Sequence, residues 1–231
     1  MVHQEGTVVI LAIETATPVC SVALQLKSGR VTEKRIEGFG VHSERTFTFA
    51  DELLERHQLG VDHLTAVLLS NGPGSYTGLR IGAAAVKGLL FDRDIPLYTL
   101  CSLTSLAIPF LKEKGIRVHS VIDARREHLY YRRSETDGNG TVMQSAPEIM
   151  ELKIIEKEIK EQDIVTGTGW QRMNYREKGK IKWCGSEAIS ACNLIEAWNN
   201  PEWRTLFEEV DAGQFEPGYL SMHQVNNTHV K

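Results

Sequence analysis

The chain has 231 residues, of which 42% are hydrophobic and 24% charged, close to the averages of globular domains, so neither disorder nor a fibrous class is indicated. A net charge of -4 argues against binding nucleic acid through bulk positive charge and leaves room only for local basic patches. No apolar run approaches the roughly 20 residues that span a bilayer, residues 1–6 lack the basic start of a secretory leader, and Cys20, Cys101, Cys184 and Cys192 form no CxxC pair or disulfide framework; the expectation is a cytoplasmic chain with reduced thiols and no membrane segment.

Taken in chain order, residues 7–14, 20–27 and 30–37 read as three β-branched or alternating strands in a meander. Residues 43–57 change to helical spacing through Phe47, Ala50, Leu53 and Leu54. A short strand at 66–70 runs into the turn NGPGSYTGLRIG (71–82), which opens a helix over 76–91. A strand at 95–100 and a helix at 102–114 follow. From residue 116 the order starts again: strands at 116–124 and 127–134, a DGNG turn and a further strand, a charged helix over 149–161, a strand at 163–166 entering a Gly-Thr-Gly turn, and a helix over 187–198. This repeat predicts an α/β fold of two related lobes, 1–114 and 115–231, each a mixed sheet with flanking helices.

Four features are candidates for function. In the 71–82 turn, Gly72 and Gly74 would allow close backbone approach, and Ser75 or Thr77 would cap the following helix, so an anion could sit there; a plain chain reversal explains the glycines equally well. Gly167 and Gly169 could touch a nucleotide from the second lobe, although a lone GxG is weak evidence. The helix after the turn carries small residues four apart, so Leu79, Gly82, Ala83 and Val86, with His42, Arg45, Phe47, Ala50 and Leu54 of the preceding helix, form a candidate seam for a partner; burial against the chain's own sheet is the competing reading. Arg125 and Arg126, with Arg132 and Arg133 one strand later, could meet phosphates or an acidic partner, or form scattered surface ion pairs. The histidines include no HExxH or HxxxH pair, and no GxSxG elbow or Cys–His nucleophile is visible.

The segments ILAIETATPVCSVAL (10–24), HSERT (42–46), GPGSYTGLRIG (72–82), IPLYTLCSLTSLA (95–107), VIDARREHLYY (121–131), VTGTGW (165–170) and EPGYL (216–220) together resemble the bacterial TsaB (YeaZ) family. The resemblance implies an actin-like ATPase fold of two ribonuclease-H-like lobes. It further implies a non-catalytic subunit of the complex that forms threonylcarbamoyladenosine in tRNA. The partners it implies are the catalytic subunit TsaD, docked through N-terminal-lobe helices, and the ATPase TsaE, with tRNA contacted by the complex and a homodimer formed when the partner is absent. Ser102 and Leu106 stand where TsaD has a metal-binding HxxxH, so no metal and no firm cofactor is expected on this chain; ATP or ADP is a candidate only for the cleft between the lobes or within the complex. Ser221 replaces an arginine common in the family. The competing functions are a small-molecule kinase of the sugar-kinase class, disfavoured by Ala16 where a glycine would admit phosphate, and a glycopeptidase-like protein, disfavoured by the missing metal ligands and nucleophile.

Overall fold

The computed structural model describes residues 8–112, 115–137, 139–174 and 180–220; Thr7, the end of the helix expected at 102–114, and Ser221 lie outside them. The first half forms β1 (Ile10–Glu14), β2 (Val19–Gln25), β3 (Val31–Glu37), α1 (Val41–Arg56), β4 (Ala66–Ser70), α2 (Tyr76–Leu89), β5 (Leu97–Leu100) and α3 (Ser102–Ala107). The second half forms β6 (Arg117–Asp123), β7 (His128–Thr136), β8 (Val142–Gln144), β9 (Glu148–Glu151), α4 (Leu152–Glu158), β10 (Ile164–Thr166), β11 (Lys182–Cys184), α5 (Cys192–Asn199) and β12 (Glu208–Val210). Both sheets have one ground plan: an antiparallel meander (β1–β2–β3; β6–β7–β8, with β9 also on β7) whose first strand pairs in parallel with a further strand (β4; β10), which in turn pairs in parallel with the next (β5; β11). The expected pair of related mixed sheets is therefore present.

β1, β2 and β4 are buried on both faces, which explains the apolar run of β1 and corrects the half-buried reading of β2, whereas β3 at the sheet edge alternates between exposed and partly buried positions. Val9, Leu11 and Ile13 point to α1 and α2, where they join Leu53, Leu54, Ala83 and Val86. Ile10 and Ala12 point the other way, into a core with Leu194, Ile195 and Ala197 of α5. The halves thus exchange helices: α3 packs on β6 and β7, and α5 packs on β1, β2 and β4. The strand β12 returns to pair antiparallel with β5 at the edge of the first sheet. The division at 114/115 is corrected accordingly, since α5 and β12 belong to the second half by sequence and to the first sheet by contact.

Other boundaries shift for local reasons. Pro109 has no N–H to donate, and the helix expected to reach 114 gives way after Ala107 to a 3-10 turn at Ile108–Phe110. Residues 149–151 leave the expected helix and, with Glu148, pair with β7. The helix expected from 187 starts at Cys192.

A closed polar network fixes the second sheet. Asp163 accepts from Arg117 Nη2 (2.9 Å), from the Lys160 amide (2.7 Å) and from His119 Nε2 (2.9 Å), while His119 Nδ1 accepts from the Tyr131 hydroxyl (2.9 Å). Burial holds the imidazole below its usual pKa, in its neutral form. Removing the carboxylate would leave the fully buried imidazole N–H of His119 unpaired and the partly exposed Arg117 guanidinium without its partner. Asp163→Ala is expected to destabilise the protein by about 3–5 kcal/mol in urea unfolding; a loss below 1 kcal/mol would show the network to be dispensable.

Candidate functional site

The hairpin between β1 and β2 (Glu14–Thr17) and the N-terminal turn of α2 press directly on each other. Ser75 N donates to Ala16 O at 2.6 Å. A Cβ at Gly74 would collide with Ala16 O, one at Gly78 with Thr15 O, and one at Gly82 would stand 2.5 Å from Thr15 Oγ1. Glycines 74, 78 and 82 recur at the i, i+4 spacing that lines one stripe of a helix. They form the groove into which the hairpin backbone fits. Gly72, at φ +107, is held from the other side: its amide donates to Ser102 Oγ (3.0 Å), its carbonyl accepts from Ser102 N (2.8 Å), and Gly218 N donates to the adjacent Asn71 O (2.8 Å). Ser102, aligned above with a metal-binding histidine, therefore pins the turn.

This geometry changes the reading of the 71–82 turn. The Ser75 amide is taken by Ala16 O and the Gly78 amide by Ser75 Oγ (3.3 Å), so these two amides are engaged within the chain and are not free to cradle a phosphate. Gly72 is buried. The seam is corrected as well. His42, Ala50, Leu54, Leu79, Gly82, Ala83 and Val86 are all buried in the chain's own core, and the His42 ring lies 3.3 Å from Val19 O. Only Arg45 and Phe47 of the expected set are exposed. The outward stripe of α2 is a different one, with Tyr76, Arg80, Ala84 and Gly88 exposed. Phe47 reaches across from α1 to within 3.5 Å of the Cβ position of Gly88, and Phe91 beyond the helix end is 78% exposed. Sequence periodicity could not choose between the two stripes, because both carry small residues.

A cleft of about 740 Å³ opens between the halves at the carboxyl ends of β1, β4 and β10, where ligands sit in open α/β sheets. Gly74, Ser75 and Thr77 line one wall, and Arg125 and Gly167 the other, with Phe39 at the rim. Gly169 does not reach it; its Cβ position faces Leu129 and Val121. Among the described residues no group of three His, Cys, Asp or Glu side chains is placed to hold a metal ion, and no helix is long and apolar enough to cross a membrane.

Residues 40–164, more than half of the chain, match the family model described as TsaD: tRNA N6-adenosine threonylcarbamoyltransferase. The chain is 31% identical over 169 residues to the tRNA threonylcarbamoyladenosine biosynthesis protein TsaB of Escherichia coli K12, an alignment covering 70% of this chain and 72% of that protein. The chain belongs to the TsaB (YeaZ) family. It is 36% identical over 123 residues to the TsaB protein of Haemophilus influenzae, but there the alignment spans only about half of each chain, 53% and 52%. YeaZ from Pseudomonas aeruginosa superposes with a TM-score of 0.72 at 27% identity, over 92% of this chain and 100% of that one.

In this TsaB-family chain the four arginines do not converge. Arg125 and Arg126, both at positive φ, form the tip of the β6–β7 hairpin, and Arg125 faces the cleft. Arg132 bonds to Thr104 of α3 and to Ser145 O, and Arg133 pairs with Glu158 at 3.7 Å.

Beneath the hairpin, burial pushes the Glu14 carboxyl up to about 7, against the opposing effect of the bond it accepts from Ala16 N at 2.7 Å and of the Ser70 hydroxyl beside it. The folded value lies above the ordinary 4.5, so the protonated form favours the fold: this stability is complete below about 4.5 and is lost as pH rises through 7. Glu14→Gln is expected to raise the melting temperature at pH 8.5 and to leave it nearly unchanged at pH 4.5. An equal effect at both pH values would contradict a buried, neutral Glu14. Gly78→Ala is expected to cost several kcal/mol, because the blocking atom is a backbone carbonyl that cannot turn aside; retention of the wild-type midpoint would refute the hairpin-in-groove contact.

Proposed function

We propose that this chain is the non-catalytic TsaB subunit of a threonylcarbamoyladenosine-forming complex, docking on a catalytic TsaD subunit that transfers the threonylcarbamoyl group to an adenosine next to the tRNA anticodon. Family membership supports the pathway. The docking role rests on one observation: the α1–α2 surface exposes an apolar strip, Phe47, Ala84, Gly88 and Phe91, on helices whose other faces are already used by the core. The small side chains at 84 and 88 let a partner helix come close, and Phe47 and Phe91 supply rings that a partner would bury. In this reading TsaE joins the assembled pair, tRNA meets the complex, and a second copy of the chain can cover the same strip when TsaD is absent. The chain is assigned no catalytic step.

Ala84→Arg probes docking without disturbing the hairpin-in-groove contact, since residue 84 is on the exposed stripe. It is expected to weaken the complex with purified TsaD by about 2 kcal/mol or more in titration calorimetry, while leaving the melting temperature within about 1 °C of wild type, since residue 84 is exposed. Wild-type chain that fails to co-elute with TsaD would remove the proposal, and unchanged affinity in Ala84→Arg would move the docking face elsewhere.

A further inference from the structure

Two sheets facing a cleft suggest a clamp that opens and closes. The contacts that cross between the halves describe a different object, and they lie on three sides of it.

Under the cleft the core is continuous. One cluster joins Val19 of the first sheet to Leu103 and Leu106 of α3, Ile122 of the second sheet and Ile189. A larger one joins Ile10, Ala12 and Leu68 of the first sheet to Val118 and Ile164 of the second through Leu194 and Ala197 of α5. Because α3 and α5 are each seated on the other half's sheet, a rotation of one half would slide both helices against close-packed surfaces at once. Such surfaces move between discrete packings and do not deform smoothly.

Along the β2–β3 side runs a polar seam to residues 186–191. Arg35 Nε donates to Ile189 O (2.9 Å) and Arg35 Nη2 to Ser186 O (2.5 Å). Ser186 Oγ donates to Glu37 (2.7 Å), and Ser190 Oγ to Glu33 (2.7 Å). The Ala191 amide donates to Ser21 Oγ (2.7 Å), which itself donates to Glu33 (2.6 Å). Each bond at this partly exposed seam is weak alone, but together they fix the register of β3 against the 186–191 segment. On the opposite side the chain returns as β12 on β5, buries Phe215 in the first core and bonds Gly218 to Asn71.

We propose that the two halves move as one rigid body and that the cleft keeps a fixed width, so that the chain acts as a stiff platform and has no closing stroke. A hinge needs a few connecting residues free to change φ and ψ. Among the described residues, Ile108 and Leu111 after α3 and Ile116 before β6 sit in or against the shared core, Ser190 and Ala191 before α5 are bonded into the seam, and Trp203 after α5 lies in the same core.

The test uses the full chain with Cys101 and Cys192 replaced by serine and spin labels at Glu44→Cys on α1 and Lys157→Cys on α4, both exposed and on opposite halves. Pulsed electron–electron resonance is expected to give one narrow distance that does not move when ATP and magnesium are added. A broad or two-peaked distribution, or a shift with nucleotide, would overturn the proposal. Hydrogen exchange on the unmodified chain gives a second reading that does not depend on the labels: the slowest amides of β2 and β7 should share one opening free energy, and separate opening of either sheet would equally overturn it.

Discussion

The contact on which the rest of the molecule depends is the one between the β1–β2 hairpin and the glycine groove of α2. Ala16 and Thr15 bring backbone carbonyls against Gly74 and Gly78, and the Thr15 hydroxyl against Gly82, at distances that leave no room for a Cβ. That contact sets the height of α2 above the first sheet and turns Leu79, Ala83 and Val86 into the core. It also decides which stripe of α2 remains outside. The inward bond from Ser75 to Ala16 and the buried Glu14 follow from it, because the hairpin folds over the end of β1. A strand–turn–helix unit with the composition of an anion cradle is here closed by its own chain.

The same contact explains where the sequence was readable. The strands β1, β2 and β4 and the helices α1 and α2 were legible because their apolar spacing is long and regular. The repeat of the ground plan was legible from the second strand run at residue 116. The three-residue strands β11 and β12 were not, since three residues show no period, and the pairing of β12 with β5 joins positions about a hundred apart. The exchange of α3 and α5 between the sheets is likewise a non-local property that no window of sequence carries.

For the candidate site, the glycines were visible in sequence but their direction was not. Gly78 and Gly82 on one side, and Ala84 and Gly88 on the other, look alike in a helical pattern; only the hairpin bearing on the first pair separates them. The signal that could have decided it was the weak one, Ala16 in place of glycine at the hairpin tip, since a hairpin that does not open to a phosphate is free to pack. Arg125 reaches the cleft from the second half, whereas the two arginines of β7 are held by α3 and by Glu158, so a run of basic residues in the sequence became three separate environments.

The central claim is that the α2 turn is filled by the protein's own backbone. Residue-resolved hydrogen exchange at the Ser75 and Gly78 amides tests it most directly. The account predicts strong protection of both amides in the free chain, unchanged when ATP and magnesium are added. Fast exchange in the free chain, with protection appearing only on adding nucleotide, would contradict it and return the turn to the role of a phosphate cradle.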